Sequence, residues 1–214
     1  DMGVVRADGS FDFDGVFKMV DAVLKAGYMP FMELSSMPSR LASGENSICF
    51  YKFRTDPPKE WSRWFDLIHE LMLALTRRYG CDNVKKWYFE VWNEPDISFW
   101  NGTQEEYFKL YDLSRKAIKA VCREYRVGGP ATSKTAWLPD FCSHVSRPSA
   151  DDPEEGIRCD FVSSHAYPSD AVFLNGANGD VLLEEASVMR TLFAKARKVI
   201  DAVLSPEIPL ICGE

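Results

Sequence analysis

The chain has 214 residues, of which 46% are hydrophobic and 27% charged, so it can bury the core of one large domain or two small ones. Its formal net charge is −7 and its basic residues are scattered, which argues against a nucleic-acid-binding face. No apolar run reaches the roughly 18 to 20 positions that a membrane-spanning helix needs. These totals indicate a globular protein that binds neither nucleic acid nor a membrane.

The first half of the chain alternates helical and strand periodicity. Apolar residues recur at helical spacing over 11–27, and the apolar run 28–34 that follows predicts a short strand. Capping residues and prolines at 55–58 open a second predicted helix, which ends near residue 79. The run 86–92 then predicts another strand.

The second half of the chain continues the same alternation. A third helix is predicted over 103–124, with Thr103 as its N-cap. The remaining predicted elements are the strand 125–131, the strand 159–168, the helix 184–204 and the strand 208–214. Strands that are continuously apolar and separated by helices predict an α/β fold with a parallel sheet covered by helices.

Two architectures fit this alternation, the (β/α)8 TIM barrel and the doubly wound open sheet. No strand–helix junction carries the GxGxxG pattern of a nucleotide-binding open sheet. Polar residues instead end the predicted strands, as is typical of a barrel active site, and these are Glu33, Asn93, Glu94, His165 and Glu214. Since a barrel needs eight strands, we expect residues 1–214 to form an incomplete barrel, about strands 3 to 7, that lacks the first strands and the last.

The cysteines and histidines do not show the spacing of a disulfide framework or a metal site. The six cysteines are far apart in sequence and several fall inside predicted helices or strands. This distribution favours free thiols and a reducing compartment such as the cytoplasm. Because the sequence contains neither a CxxC nor an HExxH motif and only three histidines, we do not expect a zinc site.

The stretch WYFEVWNEPD, residues 87–96, ends a predicted strand on a carboxylate. Pro95 cannot donate to a strand ladder and favours an extended backbone at Glu94, which would fix the direction of its side chain. In a closed barrel Glu94 and Glu214 would face each other across the mouth, as an acid/base and a nucleophile do in glycosidases. A solvated strand-end charge is the alternative for either glutamate.

Several segments together resemble glycoside hydrolase family 39. They are GYMPFMELSSMPSRLASG, WYFEVWNEPD, EEYFKLYDLSRKAIKAV, VGGPA, DFVSSHAYP and PLICGE, and they occur in the family's order along nearly the whole chain. That family contains β-xylosidases and α-L-iduronidases built on a (β/α)8 barrel. The Asn-Glu-Pro motif alone marks only a wider clan, whereas the combined segments indicate the family.

The resemblance implies a role for each candidate site residue. Glu94 matches the general acid/base, and Glu214 matches the nucleophile that forms a glycosyl-enzyme. Asn93 matches the residue that contacts the sugar 2-hydroxyl, and His165 matches a histidine that lines the sugar site. Tyr167 would orient a catalytic carboxylate or close the site. These roles imply a retaining exo-glycosidase that needs no metal or cofactor.

Two positions depart from the family pattern and leave the substrate open. Gly213 stands where relatives carry threonine, and Ser36 stands where relatives acting on xylosides commonly carry an aromatic residue. We expect a β-1,4-xylosidase acting on xylo-oligosaccharides, with β-glucosidase, α-L-arabinopyranosidase and α-L-iduronidase as alternatives. The alternative to an enzyme is a non-catalytic remnant of the barrel that binds carbohydrate. The sequence leaves the oligomeric state open.

Two further sets of residues have a structural and a functional interpretation. Glu33 and Glu90 are expected to be buried charges paired with basic groups rather than catalysts. Four aromatic residues in predicted loops either stack on the aglycone or anchor their loops, and these are Phe50, Tyr51, Trp100 and Trp137.

Overall fold

The computed structural model describes residues 3–148, 156–167 and 187–214. The helices are α1 (Asp14–Lys25), α2 (Trp61–Tyr79), α3 (Cys81–Val84), α4 (Gln104–Val121), α5 (Leu138–Val145) and α6 (Ser187–Val203). The strands are β1 (Phe31–Leu34), β2 (Ser47–Ile48), β3 (Phe53–Arg54), β4 (Tyr88–Val91), β5 (Arg126–Ser133), β6 (Phe161–His165) and β7 (Leu210–Cys212). Every predicted helix and strand has a counterpart, while Pro168 and residues 184–186 of the predicted elements lie outside the described ranges.

Five strands form one parallel sheet in the order β1-β4-β5-β6-β7. The order follows the chain without the reversal that defines a doubly wound sheet. Register pairs Glu33 with Glu90 and Glu90 with Gly128, so these three positions share one row across the sheet. Because all five strands run the same way, their carboxyl ends meet at one edge. The predicted α/β fold with a parallel sheet is confirmed.

Four short elements were not predicted, namely two strands and two helices. The antiparallel pair β2–β3 has only two residues in each strand, too few for a period to be read. Helix α3 spans a single turn. Helix α5 carried a readable signal, because its buried residues Leu138, Phe141, Cys142 and Val145 stand at helical spacing.

The core lies between the sheet and the pair α2–α4. The indole of Trp64 on α2 donates to Ser114 Oγ on α4 at 2.8 Å, and that hydroxyl donates to Leu110 O at 2.7 Å. Trp92 packs edge-on against both Trp64 and Trp100. These contacts hold the end of β4 against the two helices. None of the helices in the described ranges is both long and apolar enough to cross a membrane.

The two glycines of β5 are required by close packing. A Cβ on Gly128 would lie 2.4 Å from Phe161 O, and one on Gly129 would lie 2.9 Å from the hydroxyl of Tyr107. Both distances are shorter than atoms tolerate, so β6 and α4 can approach β5 only where no side chain intervenes. The VGGPA segment therefore reflects packing of the sheet.

Candidate active site

Asn93 and Glu94 lie just beyond β4, after Trp92, and are both buried. The backbone at Glu94 has φ = 39°, in the left-handed region, so the predicted extended conformation is wrong. The amide of Glu94 donates to Ala131 O at 2.9 Å, at an irregularity in β5 where the register with β6 shifts. Tertiary hydrogen bonding therefore overrides the local preference that Pro95 imposes.

Trp92 adopts φ = 71°, so the residue before Asn93 and the residue after it both have positive φ. Non-glycine residues in this region each cost on the order of 1–3 kcal/mol and persist only where their surroundings hold them. The indole of Trp92 donates to Phe99 O at 3.0 Å, which closes the loop that follows the motif. The strained segment thus turns Asn93 and Glu94 to the carboxyl edge of the sheet.

His165 ends β6 and is 1% exposed. Its Nδ1 lies 3.1 Å from Glu94 Oε1 and 3.7 Å from Glu214 Oε2. Burial disfavours the charged imidazolium, but the hydrogen bond to Glu94 and the charge of Glu214 outweigh it and raise the pKa of His165. The imidazole therefore joins the two predicted catalytic carboxylates.

Glu214 follows β7 and is more exposed than Glu94. Its carboxylate accepts a short hydrogen bond from the hydroxyl of Tyr167. The backbone is tied to β6, since the amide of Gly213 donates to Ser164 O at 3.2 Å. Burial and the bond to Glu214 raise the pKa of Tyr167, so its hydroxyl remains a donor. This contact agrees with the carboxylate-orienting role predicted for Tyr167.

The space beside Gly213 is occupied by two side chains. A Cβ at Gly213 would lie 3.0 Å from His165 Nε2 and 3.6 Å from Glu90 Oε1. The first distance is tighter than most Cβ contacts, so a side chain here would push the imidazole. Glycine at position 213 therefore leaves room for the His165 imidazole where it lies.

The predicted burial is confirmed for Glu90 but not for Glu33. Neither forms an ion pair with a lysine or arginine in the part of the chain the structure describes, so the pairing predicted for them is wrong there, and His165 is the basic group that acts on both. Glu90 is 2% exposed and its Oε1 has no hydrogen-bond partner there. Burial raises the pKa of Glu90 to about 7. Glu33 is exposed and accepts a short hydrogen bond from Ser35, and partial desolvation raises its pKa.

Asp96 is a site residue that sequence reasoning missed, although it stands two positions after Glu94 in the same motif. Its Oδ1 accepts from the amide of Ser133 at 2.9 Å, which joins the segment after β4 to the end of β5. Burial raises the pKa of Asp96 to about 6. The position directly after Asn-Glu-Pro could have drawn attention to it.

The four loop aromatics fall into two groups. Trp100 is buried and its indole donates to Thr103 O at 2.9 Å, while Trp137 packs 6.2 Å from the Tyr107 ring. These two anchor their loops. Phe50 and Tyr51 are exposed on the β2–β3 hairpin and contact each other edge-on. Of these four side chains, Phe50 and Tyr51 are the exposed ones, while Trp137 is half-buried.

Glu94, His165 and Glu214 bring one donor atom each to within 4.8 Å of one another. One imidazole nitrogen and two carboxylate oxygens could hold a divalent cation. The same geometry suits proton transfer and nucleophilic attack, because a buried acid, an imidazole and a second carboxylate converge on one point.

Comparison with known proteins identifies what the chain is similar to. The family model for glycosyl hydrolases family 39 matches residues 1–214. A β-xylosidase of Caldicellulosiruptor saccharolyticus is 44% identical over 182 residues, covering 83% of this chain and 35% of that protein. A β-xylosidase of Geobacillus stearothermophilus is 34% identical over 224 residues, covering 98% of this chain and 43% of that protein.

A solved structure agrees with these matches. The crystal structure of a monomeric β-xylosidase from Caulobacter crescentus CB15 superposes with a TM-score of 0.85 at 36% identity, covering 98% of this chain and 42% of that one. The chain thus spans about two fifths of the length of its relatives. Asn93, Glu94, His165 and Glu214 all lie within the range that the family model matches. The chain belongs to family 39 of the glycosyl hydrolases.

Proposed function

We propose that the chain forms the centre of the catalytic barrel of a retaining β-xylosidase. The observation that carries the proposal is the convergence of Glu94, His165 and Glu214, with one donor atom of each within 4.8 Å of the others. The unreversed parallel strand order and the solved relative support a (β/α)8 barrel in which β1 and β4–β7 would be strands 3 to 7. Strands beyond residues 1–214 would close it.

One carboxylate oxygen of Glu94 and one of Glu214 lie within 4.8 Å of each other, and this short separation favours double displacement. Retaining glycosidases hold their carboxyl groups about 5–5.5 Å apart, whereas inverting ones leave roughly 6.5–9.5 Å for a water molecule. In the proposed reaction Glu94 protonates the glycosidic oxygen while Glu214 attacks the anomeric carbon and forms a covalent glycosyl-enzyme. Glu94 then takes a proton from water, which attacks the anomeric carbon and releases the sugar and the free Glu214 carboxylate.

Three neighbours support these roles. The hydrogen bond between His165 and Glu94 holds the direction of the Glu94 carboxyl, and the one that Tyr167 donates fixes the Glu214 carboxylate for attack. Asn93 is 8% exposed and its Oδ1 has no partner among the residues described. A buried, unpartnered amide oxygen suits a sugar hydroxyl, here the 2-hydroxyl. Each neighbour thus has a defined task beside the two acids.

The substrate proposed is a β-1,4-xylo-oligosaccharide cleaved from its end. Two relatives that carry the name β-xylosidase are 44% and 34% identical to the chain. Ser36 is half-buried and offers no ring for a sugar to stack on. An aromatic wall of the sugar site would therefore have to come from another residue.

The nucleophile is tested by replacing Glu214 with alanine in the complete protein and assaying a nitrophenyl β-xyloside. We expect kcat to fall by about 10⁴-fold or more, since loss of a nucleophile removes the covalent route. Added azide should restore turnover of the variant and give a glycosyl azide of inverted configuration. Glu207→Ala, on the exposed turn before β7, is the matched control and should keep full activity.

Undiminished hydrolysis by the Glu214→Ala variant would refute the assignment. A panel of nitrophenyl glycosides tests the substrate separately, with β-xyloside expected to give the highest kcat/KM. Sugar binding without turnover of any member of the panel by the complete, folded protein would instead support a carbohydrate-binding domain.

A further inference from the structure

Cys81 and Cys122 are 41 positions apart in sequence but lie side by side in the fold. Their Sγ atoms are 3.5 Å from each other. Cys81 is exposed at the start of α3, and Cys122 is half-buried directly after α4. A disulfide needs a separation of about 2.05 Å, so the two sulfurs must approach by only about 1.5 Å.

The backbone around this pair is held by contacts that do not involve the sulfurs. The amide of Tyr125 donates to Cys122 O at 3.2 Å, and the buried Tyr125 hydroxyl lies 2.6 Å from Thr76 Oγ1 on α2. Lys85 Nζ lies 3.6 Å from a Glu124 oxygen, which joins the α3 segment to the turn after α4. Packing of the fold therefore brings the two thiols together.

The other four cysteines do not share this arrangement. Cys142 and Cys159 are buried, and desolvation raises the pKa of each thiol to about 12. Cys49 and Cys212 are exposed in separate segments, the first beside the β2–β3 hairpin and the second in β7. Only one cysteine pair in the described residues combines sulfur contact with access to solvent.

We propose that Cys81 and Cys122 are a modification site that forms a disulfide on exposure to a small-molecule disulfide such as oxidised glutathione. The Cys81 thiolate attacks one sulfur of the oxidant, and one glutathione thiolate leaves. The Cys122 thiolate then attacks the Cys81 sulfur and expels the second glutathione. Two cysteine thiols are oxidised, one glutathione disulfide is reduced, and the two protons end on the released glutathione thiols.

The order of these steps follows from exposure. Cys81 is open to solvent, whereas burial raises the pKa of Cys122 and lowers its share of reactive thiolate. The bond would close a loop that contains β4, Asn93, Glu94 and the whole of α4. Because a cross-link restricts the unfolded chain, the bond stabilises this acid-bearing unit at a distance from the chemistry.

The test is incubation of the reduced, folded protein with oxidised glutathione, followed by intact mass and peptide mapping. We expect a loss of two hydrogens and one linked peptide pair containing Cys81 and Cys122. The Cys122→Ser variant should instead retain one glutathione on Cys81. Oxidation should raise the Tm of the wild-type protein by about 5–10 °C, but not that of a Cys81→Ser/Cys122→Ser double variant.

Cys49→Ser removes an exposed cysteine outside the pair and should form the disulfide as the wild-type protein does. The proposal is overturned if the folded wild-type protein keeps both thiols free or carries stable glutathione on both positions. It is overturned equally if Cys122→Ser takes up no glutathione at Cys81. None of these measurements depends on glycosidase activity.

Discussion

Gly213 and His165 share one space beside the two catalytic candidates. The imidazole can lie between Glu94 and Glu214 because no Cβ projects from residue 213. A side chain at position 213 would require the imidazole to shift by a few tenths of an ångström. The departure from the family pattern noted in the sequence thus corresponds to a particular arrangement of this site.

Replacing Gly213 with alanine should displace His165 by a few tenths of an ångström and weaken its bond to Glu94. We expect kcat/KM to fall about 10-fold, since small misplacements of catalytic groups are costly. The Glu94 bond and the Glu214 charge raise the pKa of His165, so the limb of the pH–rate profile that depends on imidazolium should move to lower pH. Kinetics between pH 5 and 9 would measure both effects.

Gly156→Ala is the control, because a Cβ there meets no atom of the described residues within 4 Å. It should leave kcat/KM and the pH profile unchanged. An unaltered pH profile in Gly213→Ala would show that the imidazole does not depend on the missing side chain.

At the scale of elements, helix α4 begins at an N-cap that the sequence predicts and contacts the strands beside the candidate active site. Thr103 and Glu106 form a reciprocal capping box, as the predicted N-cap requires. One turn later the Tyr107 hydroxyl lies within hydrogen-bonding distance of Val91 O, on the strand that precedes the acid, and of Pro130 O, on the neighbouring strand β5. The start of α4 therefore sets where β4 and β5 end relative to each other.

Thr103→Ala should destabilise the protein by about 1 kcal/mol, because the Glu106 amide loses its acceptor. For a domain of this size the expected fall in Tm is about 2–4 °C, measurable by thermal unfolding. Thr103→Ser keeps the hydroxyl and should lose much less. Equal losses in the two variants would argue against the cap as the cause.

Sequence periodicity predicted the long helices and strands but not the local backbone geometry that sets the direction of Glu94. Amphipathic helices and apolar strands show their period over many residues, so α2, α4 and the sheet strands were readable. The positive φ of Trp92 and Glu94 was not, because it accompanies hydrogen bonds to Phe99 O and Ala131 O that no local sequence pattern shows, and Ala131 is far from Glu94 along the chain. Strand-end position predicted which residues gather, and only the folded chain gives the distances between them.

At the scale of the whole molecule, the carboxyl edge of the sheet concentrates negative charge in a chain of net charge −7. Glu33 and Glu90 lie side by side in register, with Glu94 and Glu214 beyond them. His165 is the basic group that faces this cluster in the described residues. Protonation, rather than pairing with lysine or arginine, is how the fold accommodates Glu90.

Glu90 should make stability depend on pH. Its pKa is about 7 in the folded protein against an ordinary value of 4.5, so the folded state holds a proton that the unfolded chain releases between these values. Stability from this group is complete below pH 4.5 and declines as pH rises through 7. Glu90→Gln removes the cost of burying a charged carboxylate. The free energy of unfolding of this variant should exceed that of the wild type by about 3 kcal/mol at pH 8 and equal it at pH 4.

Urea unfolding across this pH range would measure the difference. Glu207→Gln, an exposed position, serves as the control and should follow the wild-type protein. A constant offset between Glu90→Gln and the wild type at every pH would contradict the titration of Glu90.

The irregularity in β5 has a consequence for how such proteins can diverge. Ala131 O accepts a hydrogen bond from the Glu94 amide. The number of residues between Gly129 and Ser133 therefore helps to determine the direction of the Glu94 side chain. An insertion there would redirect Glu94 without touching it. No such bond to the acid comes from the β2–β3 hairpin among the described residues, so a change in hairpin length should leave the direction of Glu94 unaltered.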